Sequence, residues 1–323
     1  MDARAMAALI AVMAGTAQSP PALAAKPDPR AVPTSGTAAR IFGIATPGLP
    51  WETADRDRIT SRLPVQPDQL TFYESWSTPD FPVAQVRSMA AAGAVPDMVW
   101  MPMDANGPAH QPAYAPKRII RGRYDKEIRR WAREIKRYAA PLVIRFAPEM
   151  NGNWLPWGVE EATPRQYVAM WRHVVRIFRA VRVRNVTWTW APDVLDYQPL
   201  RARRFFPGDR WVDRVGLDGY NSGTDSSTTH WRSFARIFRQ PVRFLRRLSN
   251  RPIYVEETAS TELGGDKAAW IAGMWSWLAK HPEVRGLTWF DFDKETDWRI
   301  DSSAASFDAF TAGLRGFVSG SLS

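Results

Sequence analysis

Short apolar runs recur along this chain from about residue 40, and stretches of helical period separate them. Eight runs have strand character: RIFGIAT (40–46), LTFYESW (70–76), DMVWMP (97–102), PLVIRFA (141–147), NVTWTWAP (185–192), RVGLDGYN (214–221), PIYVEETA (252–259) and GLTWFDF (286–292). Each is short, rich in β-branched and aromatic residues, and bounded by turn formers. Between them, YDKEIRRWAREIKRYA, TPRQYVAMWRHVVRIFRAV and GDKAAWIAGMWSWLAKH repeat apolar residues every three or four positions, which predicts amphipathic helices. Pro141, Pro252 and Gly286 fall at element junctions. Thr163 before Pro164 reads as a helix start, a hydroxyl cap followed by a residue with its φ already set. Strands that alternate with helices pair in parallel, and eight such units predict an α/β fold, a single (β/α)8 TIM barrel over residues 40–318.

The first 39 residues follow a different pattern. Arg4 precedes a small apolar stretch, AMAALIAVMAGTA, and Ala22-Leu23-Ala24 satisfies the small-x-small cleavage rule. Residues 1–24 therefore read as a signal peptide, with a secreted mature protein as the expectation; an Ala-rich leading helix of the fold is the alternative. Residues 25–39 hold three prolines among polar residues and read as a linker. No later segment approaches eighteen uninterrupted apolar residues, so no membrane span is expected in the mature form.

Composition narrows the chemistry. The chain has 323 residues and no cysteine, which excludes disulfides and thiolate metal sites. Its four histidines (His110, His173, His230, His281) form no HxH or HxxxH pair, so no metal site is expected. The net charge of +10 comes almost wholly from arginine. Arg232, Arg236, Arg239, Arg243 and Arg246 step by four and three, as the outer face of one helix does, and no nucleic-acid-binding signature accompanies them. Nucleic acid is not an expected partner.

In a (β/α)8 barrel the chemistry sits at the carboxyl ends of the strands. Glu149 closes the fourth strand region, Trp190 the fifth, Tyr220 and Asn221 the sixth, Glu256 and Glu257 the seventh, and Trp289 the eighth. Two carboxylates among indoles and amides match what a retaining glycosidase requires: one attacks the anomeric carbon, the other protonates the leaving oxygen and later activates water. Successive strand residues point to opposite faces, so only one of Glu256 and Glu257 is expected at the mouth, the other being structural or supporting.

Four ordered motifs carry a family resemblance: RFAPEMNGNWLPWG, PGDRWVDRVGLDGYN, RPIYVEETASTELGGDKAAWI and GLTWFDFDKETDWRIDSS. Over residues 40–315 the chain resembles glycoside hydrolase family 26, the β-mannanase-like branch of a clan of retaining (β/α)8 enzymes. The resemblance implies Glu149 as acid/base, Glu257 as nucleophile and Tyr220 as the tyrosine that orients the nucleophile. It implies Trp289 as the floor under the cleaved sugar, with Arg145, Asn151, Trp154 and Trp157 as sugar-contacting or supporting groups. Trp190 and Asn221 complete the expected substrate-binding set.

The resemblance also has departures. Pro148 stands where the family has a histidine before the acid/base, Met101 where many relatives have a glutamate, and Asp291 where an asparagine is commoner. The implied activity is endo-hydrolysis of a β-linked polysaccharide of mannan or glucan type, by a monomer needing no cofactor. Two alternatives follow from the departures and the arginines: a carbohydrate-binding barrel with impaired catalysis, and a hydrolase of an acidic or substituted exopolysaccharide.

Overall fold

The computed structural model describes residues 39–194, 199–225 and 229–322. Eight parallel strands close into a barrel in chain order: β1 (Ile41–Ala45), β2 (Gln69–Ser75), β3 (Val95–Met101), β4 (Leu142–Phe146), β5 (Val186–Trp190), β6 (Arg214–Asp218), β7 (Ile253–Thr258) and β8 (Val284–Phe290). β8 returns to pair with β1, from Ile41 opposite Gly286 to Ala45 opposite Phe290. Each of the eight apolar runs overlaps one of these strands, so the expected (β/α)8 barrel is the observed one. The signal-peptide reading of residues 1–24, and the linker reading up to residue 38, lie outside the described residues.

Nine α-helices surround the barrel among the described residues: α1 (Ala54–Thr60), α2 (Val83–Ala91), α3 (Pro116–Ile120), α4 (Asp125–Tyr138), α5 (Pro164–Val181), α6 (Pro199–Arg204), α7 (Phe234–Leu248), α8 (Lys267–Ala279) and α9 (Ala304–Ser319). The start of α5 is fixed by a capping box. Thr163 Oγ1 accepts from the Gln166 backbone N–H at 3.3 Å, and Gln166 Oε1 accepts from the Thr163 N–H at 2.9 Å. Ser233 and Asp266 cap α7 and α8 more simply, each side chain accepting from a backbone N–H of the first turn, of Arg236 and Ala269. The arginines of α7 line its outer face, while Phe234, Ile237, Phe238 and Leu245 are buried.

Strand parity divides the barrel into two layers. Trp100, Phe146, Trp188 and Trp289 face outward and pack on helices: Trp100 on Trp131 at 5.3 Å, Phe146 on Trp171 at 5.6 Å, Trp289 on Phe310 at 5.1 Å. Inward lie Thr71, Tyr73, Asp97, Arg145, Thr189, Arg214 and Asp218, so the lumen is ionic rather than aliphatic. Thr71 donates to Asp97 at 3.0 Å, and Arg214 Nε donates to Thr189 Oγ1 at 2.6 Å. Removing one partner from such a buried set strands a charge, at a cost of about 3–5 kcal/mol.

β7 breaks the period-two rule. Its register shifts against both neighbours, between Leu217 and Asp218 on β6 and between Val255 and Thr258 on β7 itself. This irregularity turns both adjacent glutamates into the lumen. Glu256 pairs with Arg214 Nε at 3.0 Å in the lower layer, and Glu257 reaches the mouth. The expectation of one mouth residue and one supporting residue stands, but alternation across the sheet does not separate them.

Candidate active site

The segment that carries Glu149 leaves β4 through an unusual backbone. Ala147 and Glu149 both have positive φ, 45° and 53°, a region that costs a non-glycine residue about 1–2 kcal/mol. Side chains behind the segment fix it. Tyr167 Oη donates to the Ala147 carbonyl at 2.8 Å, Trp157 Nε1 to the Pro148 carbonyl at 2.7 Å, and the Glu149 N–H to the Ala191 carbonyl at 2.8 Å. Asn151 ties the segment to the end of β5 through two bonds with the Asp193 backbone, at 2.7 and 2.9 Å. Pro148 suits this strained turn because it has no N–H to satisfy.

Glu149 itself is 3% exposed, and its Oε2 accepts from Trp154 Nε1 at 2.8 Å. Burial first, then the negative charges of Asp193 and Glu257, push its carboxyl up to about 8. The Trp154 bond opposes that rise in part. Glu149 therefore holds a proton at neutral pH.

Glu257 is held from three sides. Oε1 accepts from Tyr73 Oη at 2.9 Å and pairs with Arg145 Nη1 at 2.9 Å, while Oε2 accepts from Tyr220 Oη at 2.5 Å. Arg145 is fully buried and also faces Asp218 and Asp97, each at 3.4 Å. Burial alone would lower the Arg145 pKa, but the carboxylates of Asp97, Glu257 and Asp218 hold its guanidinium charged. Burial, followed by the charge of Glu257, raises both phenols well above the usual tyrosine range, so each remains a donor. Burial and Glu257 likewise drive Asp218 above the usual carboxylate range. One carboxyl is thus kept protonated, and a second is gripped by one cation and two hydroxyls.

The structure brings Glu149, Glu257, Tyr220, Arg145 and Trp154 together at one rim. Trp154 is half-buried. The other expected contact residues serve the scaffold. Asn151 and Trp157 bind backbone, and Asn221 is fully buried, donating to Ser260 Oγ at 2.9 Å and accepting from the Arg232 N–H. Trp190 is fully buried against Phe206 on the helix side of β5. Trp289 is fully buried too, with its Nε1 donating to the Trp298 carbonyl at 2.9 Å. The aromatic wall around Glu257 is built instead from Phe290, Phe292 and Trp298. Tyr220 meets Phe290 edge-on at 5.6 Å and Trp298 at 5.4 Å, and Phe292 stacks on Phe290 at 4.1 Å.

Tyr73, Asp193 and Phe290 escaped the sequence reading. Tyr73 and Phe290 share the inward parity of Thr71 and Thr288, so period two within LTFYESW and GLTWFDF was the available signal. Among the described residues no group of three or more His, Asp or Glu side chains is placed to hold a metal ion, and no helix is long and apolar enough to cross a membrane.

Known proteins resemble this chain in sequence and in fold. Endoglucanase H of Acetivibrio thermocellus is 34% identical over 247 residues, 73% of this chain, and a mannan endo-1,4-beta-mannosidase of Bifidobacterium adolescentis is 34% identical over 89 residues. The chain spans 26% of the length of the first and 8% of the second. In three dimensions it is similar to an endo-beta-1,4-mannanase of Cellulomonas fimi, with a TM-score of 0.65 and 18% identity over 88% of this chain and 74% of that one. A family 26 beta-mannanase of Bacteroides ovatus gives 0.62 and 16% over 86% and 88%. The model of glycosyl hydrolase family 26 matches residues 108–279, which include Glu149, Tyr220 and Glu257. The chain belongs to glycosyl hydrolase family 26.

Proposed function

We propose that this protein is a secreted, retaining endo-β-glycoside hydrolase acting on a β-linked polysaccharide of the β-1,4-mannan or β-glucan type. One observation carries the reading: a proton-bearing Glu149 and a donor-saturated Glu257 share a rim in a family 26 barrel. Glu257 attacks the anomeric carbon while Glu149 protonates the departing oxygen. Tyr220 and Tyr73 hold the attacking carboxylate in one orientation, and Arg145 holds its charge.

The electrostatics fit both halves of a double displacement. The charge of Glu257 contributes to the raised pKa of Glu149. Forming the glycosyl ester removes that charge, so the pKa of Glu149 falls and its carboxylate can take a proton from water in the second half. All of these residues come from one chain, so the mechanism requires no second copy. Secretion is supported by the n-region, apolar stretch and small-x-small site within residues 1–24; amino-terminal sequencing of protein recovered from medium tests it.

The catalytic assignment is tested by azide rescue. Glu257→Ala should lose hydrolysis of mannan or β-glucan and regain turnover with azide, giving the α-glycosyl azide. Glu149→Ala should give the β-azide on an activated substrate. Full activity in Glu257→Ala would sink the nucleophile assignment. Tight glycan binding without turnover by the wild-type protein would support instead a binding barrel, the reading that Pro148 and Met101 motivate.

A further inference from the structure

The chain's positive charge is concentrated on one side of the barrel. Between Pro164 and Arg251 there are eighteen arginines, six aspartates, no lysine and no glutamate, a net +12. The remainder of the chain therefore carries −2 of the total +10. Fourteen of the eighteen arginines are exposed.

Twelve of the eighteen lie on α5, α6 and α7, which follow one another around the outside of β4 to β7; five lie in the connecting segments, and Arg214 faces the lumen. The flank is one continuous surface. Arg172 of α5 donates to the Pro207 carbonyl at 2.7 Å, Arg179 donates to the Arg210 carbonyl at 2.5 Å, and Arg251 donates to the Asp209 carbonyl at 2.7 Å. Three guanidinium groups gather on the single buried indole of Trp211: Arg179 at 4.7 Å, Arg210 at 4.9 Å and Arg172 at 5.8 Å. Burial, and then the charges of Arg210 and Arg176, depress the pKa of Arg172.

Few ion pairs among the described residues neutralise this field. Among the described residues, Arg246 with Glu283 at 3.3 Å is the ion pair made by an exposed arginine of the flank. Asp209 accepts from Ser249, Asp213 accepts from the Trp188 N–H, and Asp193 and Asp218 lie inside the barrel. A convex surface of uncompensated guanidinium groups attracts an anionic polymer.

We propose that the α5–α7 flank is a docking face for an acidic polysaccharide bearing carboxylate groups. The exclusive use of arginine fits, because its planar fork matches a carboxylate bidentately. Among the described residues the flank presents no exposed large hydrophobic side chain to enter a bilayer, since Leu263 lies elsewhere, and Trp211 is too buried to stack a nucleobase. α6 follows β5 at the carboxyl end of the barrel, so Arg201, Arg203 and Arg204 extend the face toward the rim that holds Glu149. A glycan held there would be kept near the active site along with the neutral chains it accompanies. The choice of a glycan rests on the proposed function.

The test uses the full chain and immobilised polygalacturonate, with neutral galactomannan as the control matrix. Retention is expected on polygalacturonate at 50 mM NaCl, weakening at least ~10-fold by 200 mM as the exposed charges are screened. Arg239→Glu/Arg243→Glu/Arg247→Glu, on the outer face of α7, should weaken it at least ~10-fold with neutral-glycan hydrolysis unchanged. A second variant, Arg176→Glu/Arg182→Glu, repeats the test on α5 and the residue that ends it. No retention at 50 mM NaCl overturns the proposal, as does wild-type retention in both variants. Tighter binding to duplex DNA or to phosphatidylglycerol vesicles than to polygalacturonate overturns it as well. Binding that persists in a protein unable to hydrolyse neutral glycans refutes the proposed function and leaves the docking face standing; hydrolysis without binding does the reverse.

Discussion

Replacing Glu149 by glutamine should stabilise the protein, and only above acidic pH. The Glu149 carboxyl ordinarily titrates near 4.5, and in the fold it is pushed up to about 8. Between those values the folded chain holds a proton that the unfolded chain has released. The contribution is therefore full below about 4.5, falls as pH rises, and is lost once pH passes about 8. Each pH unit costs about 1.4 kcal/mol, so the whole interval corresponds to roughly 5 kcal/mol. Glutamine keeps the acceptor for Trp154 Nε1 and removes the titration. With relaxation of the site absorbing about half of the loss, the variant should exceed the wild type by about 2–3 kcal/mol at pH 8, or about 4–8 °C in Tm. The two should melt together at pH 4. The assay is calorimetry of both proteins from pH 4 to 9, alongside hydrolysis, which the variant should lose. A Tm difference that stays constant across that range would refute the raised pKa and with it the reason for casting Glu149 as the acid.

Other outcomes follow from the same geometry. Asp193→Asn removes a negative charge that raises the Glu149 pKa, so the alkaline limb of kcat/KM, placed near 8 in the wild type, should move to lower pH; an unmoved limb would remove Asp193 from the electrostatics. Tyr220→Phe deletes the sole donor described for Glu257 Oε2, a charge-assisted bond worth about 1.5–3 kcal/mol, and should lower kcat about 10- to 100-fold. Tyr73→Phe should cost only several-fold, because Arg145 still holds Oε1; equal losses in the two variants would contradict this division of labour. Phe290→Leu should raise KM for a glycan, whereas Trp289→Phe should lower Tm and leave KM unchanged; the opposite pattern would restore Trp289 as the sugar floor.

The barrel was legible because each strand is a short branched or aromatic run and the long helices α4, α5 and α7 each have a clear apolar face. The helix start at Thr163 was readable for the same reason: its chemistry is local. The site was legible only where motifs carried it, at Glu149, Glu257, Tyr220, Arg145 and Trp154. Trp190 was drawn into the expected site by its place at a strand end and Trp289 by the motif match, although period two already placed them on the helix side of β5 and β8. Parity had the opposite defect at β7, where a register shift turns both Glu256 and Glu257 inward, and such a shift leaves no mark in a single sequence. Asn151 and Asn221 look like sugar readers by type, yet their amides are used by backbone or by neighbouring side chains across distant segments. Those pairings join residues 42 and 39 positions apart, beyond the reach of local pattern.

The central claim is that Glu257 and Glu149 cleave a β-glycosidic bond with retention. Proton NMR of the wild-type protein acting on a soluble mannan or β-glucan oligosaccharide, recorded before mutarotation, tests it most directly. The β-anomer of the new reducing end should appear first and then decay toward the equilibrium mixture. Initial release of the α-anomer would mean inversion, and Glu257 would not be a nucleophile.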